Sequence, residues 1–350
     1  MSERTDEAVL AIRPRTLGDV VLTTPALRAL KRGHPDAALE VVTEPRYAGL
    51  LEGLEGVARV WPLERSLGGT LALARALGRR RYRVAVDFFG NSRTAFLAIA
   101  SRARLTAGYD LRGRRFAYRR RVPRTLAPAA GRREYAAATH VRLAIAAGGI
   151  EDGLEPRVAI PPAARARATA LLAGIGAAGR GTIGLVAAGT WAAKTWPRAH
   201  AAVLARRLIE AGHRVLLITG PGEGALADAL AALAPGIAIL PPCDVATLAG
   251  VIAGLGAVVG TDSGPRHLAA ALGVPSFAWF GPTHPDTWSP PGAIHGAWWT
   301  ELPCRGCDRT ACPHWNCMPG LAPEHAAGLV LRHLETHGRS PSDLGPAARA

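Results

Sequence analysis

The sequence predicts an α/β protein with parallel sheets, arranged as two Rossmann-like domains. Short apolar, β-branched runs alternate with longer Ala-, Leu- and Arg-rich segments of helical period, which is typical of βαβ units. This alternation begins again in the second half of the chain. The length of 350 residues also exceeds that of one ordinary domain. We therefore expect two domains that face each other across a cleft.

Strands in the first half are predicted from short apolar runs bounded by polar or turn residues. They are AVLAIRP (8–14), LEVVTE (39–44), ARVWPL (58–63), YRVAVDFF (82–89) and LTAGYD (105–110). Segments of helical period, such as TPALRALKRGH and GTLALARALGRRR, lie between them. Since helical crossovers connect parallel strands, we expect these strands to pair in parallel.

The second half repeats the pattern, starting with the buried strand TIGLVAAG (182–189). RAHAAVLARRLIEAG follows as a helix that ends at Gly212, because glycine is common just after the last helical residue. Further strands are predicted at HRVLLITG, IAILPP, AVVGTD and PSFAWFGP. APEHAAGLVLRHLETHG (322–338) is predicted to be the closing helix.

The domain boundary is predicted within EDGLEPRVAIPPAARA (151–166), which is rich in Pro, Gly and charge. The first domain would span 1–165 and the second 166–338. The remaining 339–350, which contains SPSDLGPAARA, is predicted to be a disordered tail.

The charge balance indicates an anionic partner. The formal net charge is +15, which favours a polyanion, an anionic membrane surface or a negatively charged substrate. Nearly all basic residues are Arg, so a compositional bias is the alternative. No nucleic-acid recognition motif is visible and aromatic residues are only 5 %, so we expect no nucleic-acid partner. MSERTDEAV does not resemble a signal peptide, and we expect a cytoplasmic chain that is peripheral to the inner membrane face.

An acidic residue follows the first predicted strand in RPRTLGDVVLTTPALRAL (13–30). Asp19 is expected in a Gly-containing turn before the first helix. There it can cap the helix. Alternatively, it can face a ligand, because doubly wound sheets bind ligands beyond the carboxyl ends of their strands.

A phosphate site is predicted in VVGTDSGPRHLAAALGVPSFAWFGPTHP (258–285). A strand ends there, and DSGP opens a helix that Ser263 or Asp262 can cap. The free N–H groups and the dipole at a helix start bind phosphate groups well. Arg266 and His267 would add positive donors. The alternative is an ordinary capped turn between strand and helix.

Two further loops follow strands of the second half. GTWAAKTWPRAH (189–200) carries Thr190 and Lys194, which can meet an anionic ligand before the next helix. TGPGEGALADAL (219–230) carries Glu223, which can accept hydrogen bonds from a ribose or base. Glu223 can equally be a helix N-terminal carboxylate that the dipole favours.

These segments together resemble glycosyltransferase family 9, which contains the lipopolysaccharide heptosyltransferases. The resemblance rests on RPRTLGDVVLTTPALRALKRGHPDAALEVVTEPRYAGLLE, AGTWAAKTWPRAH and GTDSGPRHLAAALGVPSFAWFGPTHP, in this order along the chain. It implies a GT-B fold, with an ADP-sugar such as ADP-glycero-manno-heptose in the second domain. A lipid-linked or oligosaccharide acceptor would occupy the first. It also implies inversion by direct displacement, with no cofactor or metal required for transfer.

The resemblance assigns roles to individual residues. Asp19 matches the general base. The positions that match donor contacts are Thr190, Lys194, Glu223, Asp262, Ser263, Gly264 and His267. Among these, Lys194 and the helix start at Ser263 would stabilise the pyrophosphate leaving group. Asp262 and Glu223 would contact sugar or ribose hydroxyls.

The acceptor site departs from the family pattern. The stretch before Gly18 is more basic than usual and lacks the common serine. An Arg-rich segment at 101–125 adds to this positive charge. The arginines expected to contact an anionic acceptor are Arg13, Arg15, Arg93, Arg112 and Arg119. The alternative is that most of these side chains are simply solvated.

A cysteine cluster, CRGCDRTACPHWNC, lies in the loop 303–318. Cys304, Cys307, Cys312 and Cys317 have the spacing C-x2-C-x4-C-x4-C. Four thiolates this close in sequence can enclose a structural Zn²⁺ ion tetrahedrally. An iron–sulfur cluster or reduced thiols packed in a loop are the alternatives.

The sequence thus predicts an inverting glycosyltransferase. It would move a heptose or related sugar from an ADP-sugar to a lipopolysaccharide core or similar anionic glycan. One alternative is a two-domain sugar-nucleotide epimerase or hydrolase. The other is a transferase that uses a different nucleotide sugar and acceptor.

Overall fold

The structure is a computed structural model that describes residues 8–128, 131–179 and 181–339. The chain divides into two compact units between Pro161 and Pro162. This division falls inside the Pro-rich connector, slightly before the predicted boundary at 165/166. From residue 340 onward, the predicted tail lies outside the described residues.

The described part of the first unit forms a six-stranded parallel sheet in the order β3-β2-β1-β4-β5-β6. Its strands are β1 (Ala8–Ile12), β2 (Leu39–Thr43), β3 (Val57–Pro62), β4 (Tyr82–Asp87), β5 (Leu105–Tyr109) and β6 (Arg120–Val122). Its helices are α1 (Leu17–Gly33), α2 (Pro45–Ala48), α3 (Leu67–Gly78), α4 (Ser92–Ala100) and α5 (Ala136–Ala146). A 3₁₀ turn spans Arg115–Ala117.

The second unit repeats this topology. Over its described residues, the sheet order is β9-β8-β7-β10-β11-β12, again parallel throughout. The strands are β7 (Thr182–Val186), β8 (Arg214–Leu217), β9 (Ala238–Ile239), β10 (Ala257–Thr261), β11 (Ser276–Phe280) and β12 (His295–Trp299).

Helices cover this second sheet as well. They are α6 (Pro162–Gly174), α7 (Arg198–Glu210), α8 (Gly224–Leu233), α9 (Val245–Ala253), α10 (Gly264–Ala271), α11 (Pro285–Trp288) and α12 (Pro323–His337). A 3₁₀ turn spans Ala192–Lys194. No helix in the described ranges is long and apolar enough to cross a membrane.

The predicted parallel α/β architecture is confirmed, but two strands were not predicted. β6 is a short, largely exposed strand in the Arg-rich segment, and β12 is half-buried along its length. Both lie at an edge of their sheet. An edge strand buries less side-chain surface than a central one, so neither needs the apolar run that marks a strand in sequence.

The first helix begins earlier than predicted, because α1 continues through Pro25. Proline has no N–H to donate to the carbonyl of Val21, four residues before it. The hydroxyl of Thr24 donates to this carbonyl instead, at 2.8 Å. Gly18 and Asp19 therefore belong to the first turn of α1 and not to a preceding loop.

Both sheets reverse their winding direction between their two central strands. In the first unit these are β1 and β4, and in the second they are β7 and β10. Chain segments that leave adjacent strands in opposite directions open a crevice at the carboxyl edge, where doubly wound folds bind ligands. Asp19 follows β1, Lys194 follows β7 and Asp262 follows β10.

Candidate functional site

In the second unit, loops that leave three adjacent strands converge on one buried carboxylate. Asp262 directly follows β10, and its side chain is 3 % exposed. Its Oδ2 accepts from Lys194 Nζ at 2.8 Å and from Thr283 Oγ1 at 2.8 Å. Lys194 lies in the loop after β7, and Thr283 in the loop after β11. The central strand order therefore brings together side chains from distant parts of the sequence.

His267, on α10, completes this group. Its Nε2 lies 3.7 Å from Asp262 Oδ1, and its side chain is almost fully buried. Among the described residues, Asp262 Oδ1 has no hydrogen-bond partner. A buried acceptor without a donor is costly, so this oxygen is suited to a hydroxyl or N–H group of a ligand.

The ionisation of Asp262 is set by opposing effects. Burial alone raises the pKa of this carboxyl group, but the charge of Lys194, the neighbouring His267 and the hydrogen bonds from Lys194 and Thr283 together outweigh the effect of burial. The net pKa is below the usual value, so Asp262 is a carboxylate at neutral pH. Lys194 and Asp262 thus form an ion pair inside the second unit.

Lys194 retains donor capacity for a ligand. Its ammonium donates to Asp262 Oδ2 and, at 3.2 Å, to the Asp262 carbonyl, which uses two of its three N–H groups. The nitrogen lies 4.8 Å from the centre of the Trp191 ring and 5.9 Å from that of Trp288. These rings fix the side chain and shield it from water, and this strengthens its interaction with an anion.

Gly260 allows β10 to lie close to β7. A Cβ atom at this position would be 2.1 Å from the carbonyl oxygen of Val186. No side chain fits in this space, so glycine is required for the strand pairing that places Asp262 beside Lys194.

The start of α10 differs in detail from the prediction. Ser263 stands at the N-cap position, but its hydroxyl donates to the Thr261 carbonyl at 3.1 Å and does not cap the helix. Asp262 does not cap it either, because its carboxylate is paired with Lys194. The amides of Ser263 and Gly264 remain in the first turn, where a helix leaves N–H groups without intrahelical partners.

Arg266 is bonded toward the edge of the sheet, and its predicted role as a positive donor to a phosphate stays a prediction. Its guanidinium is buried and donates to Ser289 Oγ and to the Gly296 carbonyl, both at 2.9 Å. It also lies 5.2 Å from the ring of Phe280. These contacts connect α10 to β11 and β12.

Thr190 and Glu223 lie in the loops after β7 and β8. Thr190 is exposed. Glu223 Oε2 accepts from the Gly220 amide at 2.7 Å, so its carboxylate closes the turn before α8. This contact agrees with the structural alternative for Glu223, although its second oxygen remains available to a ligand.

In the first unit, Asp19 has two structural contacts. It forms a capping box with Thr16, whose hydroxyl donates to Asp19 Oδ2 at 2.9 Å. Its other oxygen forms an ion pair with the buried guanidinium of Arg13. The cap interpretation is therefore confirmed as a structural role. The side chain remains 23 % exposed, so an additional role toward a ligand is open.

These contacts also control the charge of Asp19. Burial raises the pKa of the carboxyl group, but the Arg13 guanidinium and the hydrogen bonds from Thr16 outweigh it and lower the pKa. Asp19 is therefore ionised throughout the neutral range.

A buried polar cluster lies next to the Asp19–Arg13 ion pair, and it was not predicted from the sequence. His140, on α5, is hydrogen-bonded through Nδ1 to the hydroxyl of Tyr109 at 2.6 Å. Burial, assisted by the positive charge of Arg13, lowers the pKa of His140 to about 3, so it is neutral. Arg124 stacks on Tyr109 at 5.7 Å. A lone histidine in an Ala-rich helix gives no local signal of such a contact.

The arginines predicted to bind an acceptor do not form one group. Arg13 is 2 % exposed and is committed to Asp19 and the Phe88 carbonyl. Arg93 donates to Thr70 and to two backbone carbonyls near the start of α3. Arg13 and Arg93 therefore have structural contacts within the first unit.

The remaining three arginines differ in their position on the sheet. Arg119 precedes β6 and donates to the Arg104 carbonyl, which places it at the amino edge, opposite Asp19. Contact of Arg119 with an acceptor stays a prediction, and this position lies on the edge of the sheet opposite Asp19. Arg15 and Arg112 are exposed and lie at the carboxyl edge.

The cysteine loop contains only free thiols. Cys304 and Cys307 are exposed, whereas Cys312 and Cys317 are half-buried. The Trp315 amide donates to Cys312 Sγ at 3.4 Å. Within the described ranges, no three His, Cys, Asp or Glu side chains are grouped so that they could hold a metal ion. A structural zinc ion stays a prediction.

Elemental analysis tests this prediction. If the four cysteines bind zinc, the purified protein is expected to contain about one zinc ion per chain, and Cys304→Ser should remove it. Cys243→Ser is the matched control, because this thiol lies outside the loop and should leave the zinc content unchanged. Absence of zinc from the protein purified without chelators would contradict the prediction.

The ion pair of Asp262 predicts acid sensitivity of the second unit. The pKa of this carboxyl is lower in the folded than in the unfolded chain, where it is about 3.9. Its stabilising contribution is therefore complete above pH 4 and is lost as the pH falls through the folded value. We expect the free energy of unfolding to decrease below about pH 4. Urea titrations can follow the fluorescence of the buried Trp196 and Trp279.

The control for this measurement is Asp262→Asn, which cannot titrate. Its free energy of unfolding should depend less on pH in the acid range than that of the wild type. An equal acid dependence in both proteins would show that other groups cause the loss.

Comparison with known proteins agrees with this architecture. Residues 70–317 match the profile of Glycosyltransferase family 9 (heptosyltransferase). Lipopolysaccharide heptosyltransferase 1 from Pseudomonas aeruginosa is 29 % identical over 326 residues, which cover 87 % of either chain.

Solved structures show the same fold. The Escherichia coli ADP-heptose lipopolysaccharide heptosyltransferase II superposes with a TM-score of 0.77 at 20 % identity, covering 94 % of this chain and 99 % of that one. Escherichia coli heptosyltransferase WaaC with ADP gives a TM-score of 0.70 at 22 % identity, with coverage of 93 % and 99 %. WaaC is also known with ADP-2-deoxy-2-fluoro heptose. These likenesses confirm the predicted GT-B fold, and the profile match over more than half of the sequence shows that the chain belongs to glycosyltransferase family 9, the heptosyltransferase family.

Proposed function

We propose that this protein transfers a heptose, with inversion, from ADP-heptose to an anionic glycan of the lipopolysaccharide core. The observation that carries the proposal is the group formed by Lys194, Asp262 and Thr283 beside the start of α10. It combines an ammonium, a buried acceptor oxygen and helix N-terminal amides at the switch point of the second sheet. These three features together suit a nucleoside diphosphate sugar.

Each part of the group suits one part of the donor. The third N–H of Lys194 and the amides at Ser263 and Gly264 can bind pyrophosphate oxygens, whose negative charge increases as the sugar leaves. Asp262 Oδ1, which has no donor among the described residues, can accept from a sugar hydroxyl. The choice of an adenine nucleotide and a heptose is supported by the ligands of WaaC and by the family of the chain.

In the proposed reaction, Asp19 is the general base. An acceptor hydroxyl oxygen attacks the anomeric carbon and forms the new glycosidic bond. The bond from that carbon to the pyrophosphate oxygen breaks, and ADP leaves with the electron pair. The acceptor proton passes to the Asp19 carboxylate.

The low pKa of Asp19 is compatible with this role. The proton-accepting form is present throughout the neutral range. Arg13 makes the carboxylate a weak base, but the proton on the attacking hydroxyl oxygen becomes strongly acidic as the bond from that oxygen to carbon forms. A weak base in a fixed position is therefore sufficient, and its contacts with Thr16 and Arg13 provide the fixed position.

The acceptor is proposed to be anionic because exposed arginines lie at the carboxyl edge of the first sheet. Arg15, Arg46 and Arg65 lie around the buried carboxylate of Glu44, which follows β2. One carboxylate cannot neutralise three guanidinium groups, so this surface keeps a positive charge. Phosphate or carboxylate groups of a core glycan would complement it.

Calorimetric titration with ADP, UDP, GDP, ADP-heptose and ADP-glucose tests the donor site. We expect ADP to bind more tightly than UDP or GDP, and ADP-heptose to bind more tightly than ADP-glucose. A preference for a uridine or guanosine nucleotide would keep the transferase but overturn the ADP-sugar donor. Binding of none of these ligands would contradict the proposed site.

Family membership favours transfer over the epimerase or hydrolase alternative, and turnover distinguishes them. An epimerase or hydrolase consumes the nucleotide sugar without an acceptor. The proposed transferase should release ADP at an appreciable rate only when a core acceptor is present. Equal ADP release with and without acceptor would favour hydrolysis.

A further inference from the structure

One face of the first sheet carries an outer surface with unusual exposure of large apolar side chains. This face is covered by α3, α4 and the Arg115–Ala117 turn, which share one buried core. On the outside, Leu67 is 77 % exposed and Phe116 is 79 % exposed. We call the outer faces of these three segments the α3–α4 surface.

The apolar side chains of this surface follow the helical period. Leu67 and Leu71 stand four residues apart on α3, and Phe96 and Ile99 stand three apart on α4. Each pair therefore lies along one side of its helix. Leu71, Phe96 and Ile99 are between 38 % and 47 % exposed, so both stripes face outward.

A shallow groove separates the two helices. Its volume is about 410 Å³, and Leu71, Phe96 and Ala100 contribute its apolar lining. Arg75, Arg79 and Arg102 line the same groove. Apolar side chains and guanidinium groups therefore line the same groove.

The charge of this region is mainly positive, although Arg80 is paired with Glu40 and Arg115 with Asp110. Between Leu67 and Tyr109 the sequence contains eight arginines and a single acidic residue, Asp87. Asp87 is fully buried and accepts from the Tyr118 hydroxyl and from backbone amides. It does not offset the arginines at the surface.

From this combination we infer that the α3–α4 surface binds the surface of an anionic lipid bilayer. Exposed Leu, Phe and Ile side chains can insert at the level of the lipid headgroups, where apolar groups leave water. Arginines beside them can contact lipid phosphates while their stems stay in the interface. This inference does not depend on the proposed transfer reaction.

Charge complementarity favours a membrane over a second copy of the chain. Two copies that pack through this surface would bring arginines against arginines, which is unfavourable. Leu67 and Phe116 also project from separate elements, which suits insertion into a deformable lipid layer.

Sedimentation of the full-length protein with lipid vesicles tests the inference. The wild type is expected to bind vesicles of phosphatidylcholine with about one-third phosphatidylglycerol, to bind phosphatidylcholine alone much less, and to lose affinity as salt is raised. Two double variants, Leu67→Ser with Phe116→Ser and Arg75→Glu with Arg79→Glu, should each lower the partition coefficient about tenfold or more.

Matched controls carry the same chemical changes elsewhere. Ile145→Ser with Leu233→Ser changes exposed apolar residues outside the surface, and Arg132→Glu with Arg165→Glu changes exposed arginines outside it. Both controls should bind vesicles nearly as the wild type does. Circular dichroism and urea denaturation should give wild-type spectra and unfolding transitions for all four variants, which shows that the substituted first unit is folded.

Three results would overturn the inference. The wild type fails to sediment with the anionic vesicles, or the α3–α4 variants bind them as well as the controls do. The third such result is a wild-type dimer, detected by light scattering without lipid, that is absent from the variant Leu67→Ser with Phe116→Ser. That result would assign the surface to self-association.

Discussion

Asp19→Asn is expected to reduce the transfer rate constant kcat by about 10²–10⁴-fold while ADP-heptose binding is retained. The amide is nearly isosteric with the carboxylate but cannot accept the proton of the acceptor hydroxyl. Donor binding should survive because the proposed donor contacts lie in the second unit. The measurements are ADP release in the presence of a core acceptor and calorimetric titration with ADP-heptose.

The capping role of Asp19 requires a separate control. Thr16→Ala removes the hydroxyl that donates to Asp19 Oδ2 but keeps the carboxylate and its pairing with Arg13. Loss of such a cap costs about 1 kcal/mol of stability. If Thr16→Ala retains most of the activity that Asp19→Asn loses, loss of the cap does not cause the effect; urea denaturation of Asp19→Asn then shows whether the unpaired Arg13 has unfolded the first unit. Transfer by Asp19→Asn within tenfold of the wild type would exclude the general-base role.

Lys194→Met is expected to weaken ADP binding about 10–100-fold, because a hydrogen bond from a charged group to a phosphate is lost. The same change should destabilise the second unit by about 3–5 kcal/mol, since Asp262 then remains buried without its cation. Calorimetry measures the first effect. Urea denaturation, followed by tryptophan fluorescence, measures the second.

A double variant separates binding from stability. Asp262→Asn in the Lys194→Met background removes the unpaired buried charge, so stability should recover in large part. ADP affinity should not recover, because the ammonium is still missing. Unchanged ADP affinity in Lys194→Met, or its recovery in the double variant, would remove Lys194 from the donor site.

Local sequence signals were sufficient for the central strands and most helices. The runs that became β1, β7 and β10 are buried along their whole length, and their mainly apolar residues predict this directly. The edge strands β6 and β12 were missed because their environment does not demand such runs. The early start of α1 was also missed, since Pro25 normally signals a helix start.

The candidate site was predictable residue by residue but not as a group. Lys194 and Asp262 each stood in a loop after a predicted strand, and the resemblance of those loops to one family assigned them to a donor site. Thr283 was inside the same quoted segment, yet nothing local distinguished it. Nothing local showed that the guanidinium of Arg266 donates to β12.

By itself the sequence determined the α/β class, the central strands, the domain connector and the loops after the strands, because these follow from short-range patterns of apolar, polar and turn residues. Only the tertiary structure decided which loops meet. The pairing of β7 with β10 joins Lys194 and Asp262 across 68 residues, and the packing of α5 against α1 places His140 behind Arg13 and Asp19. Such contacts depend on strand order and helix packing, which no local stretch of sequence encodes.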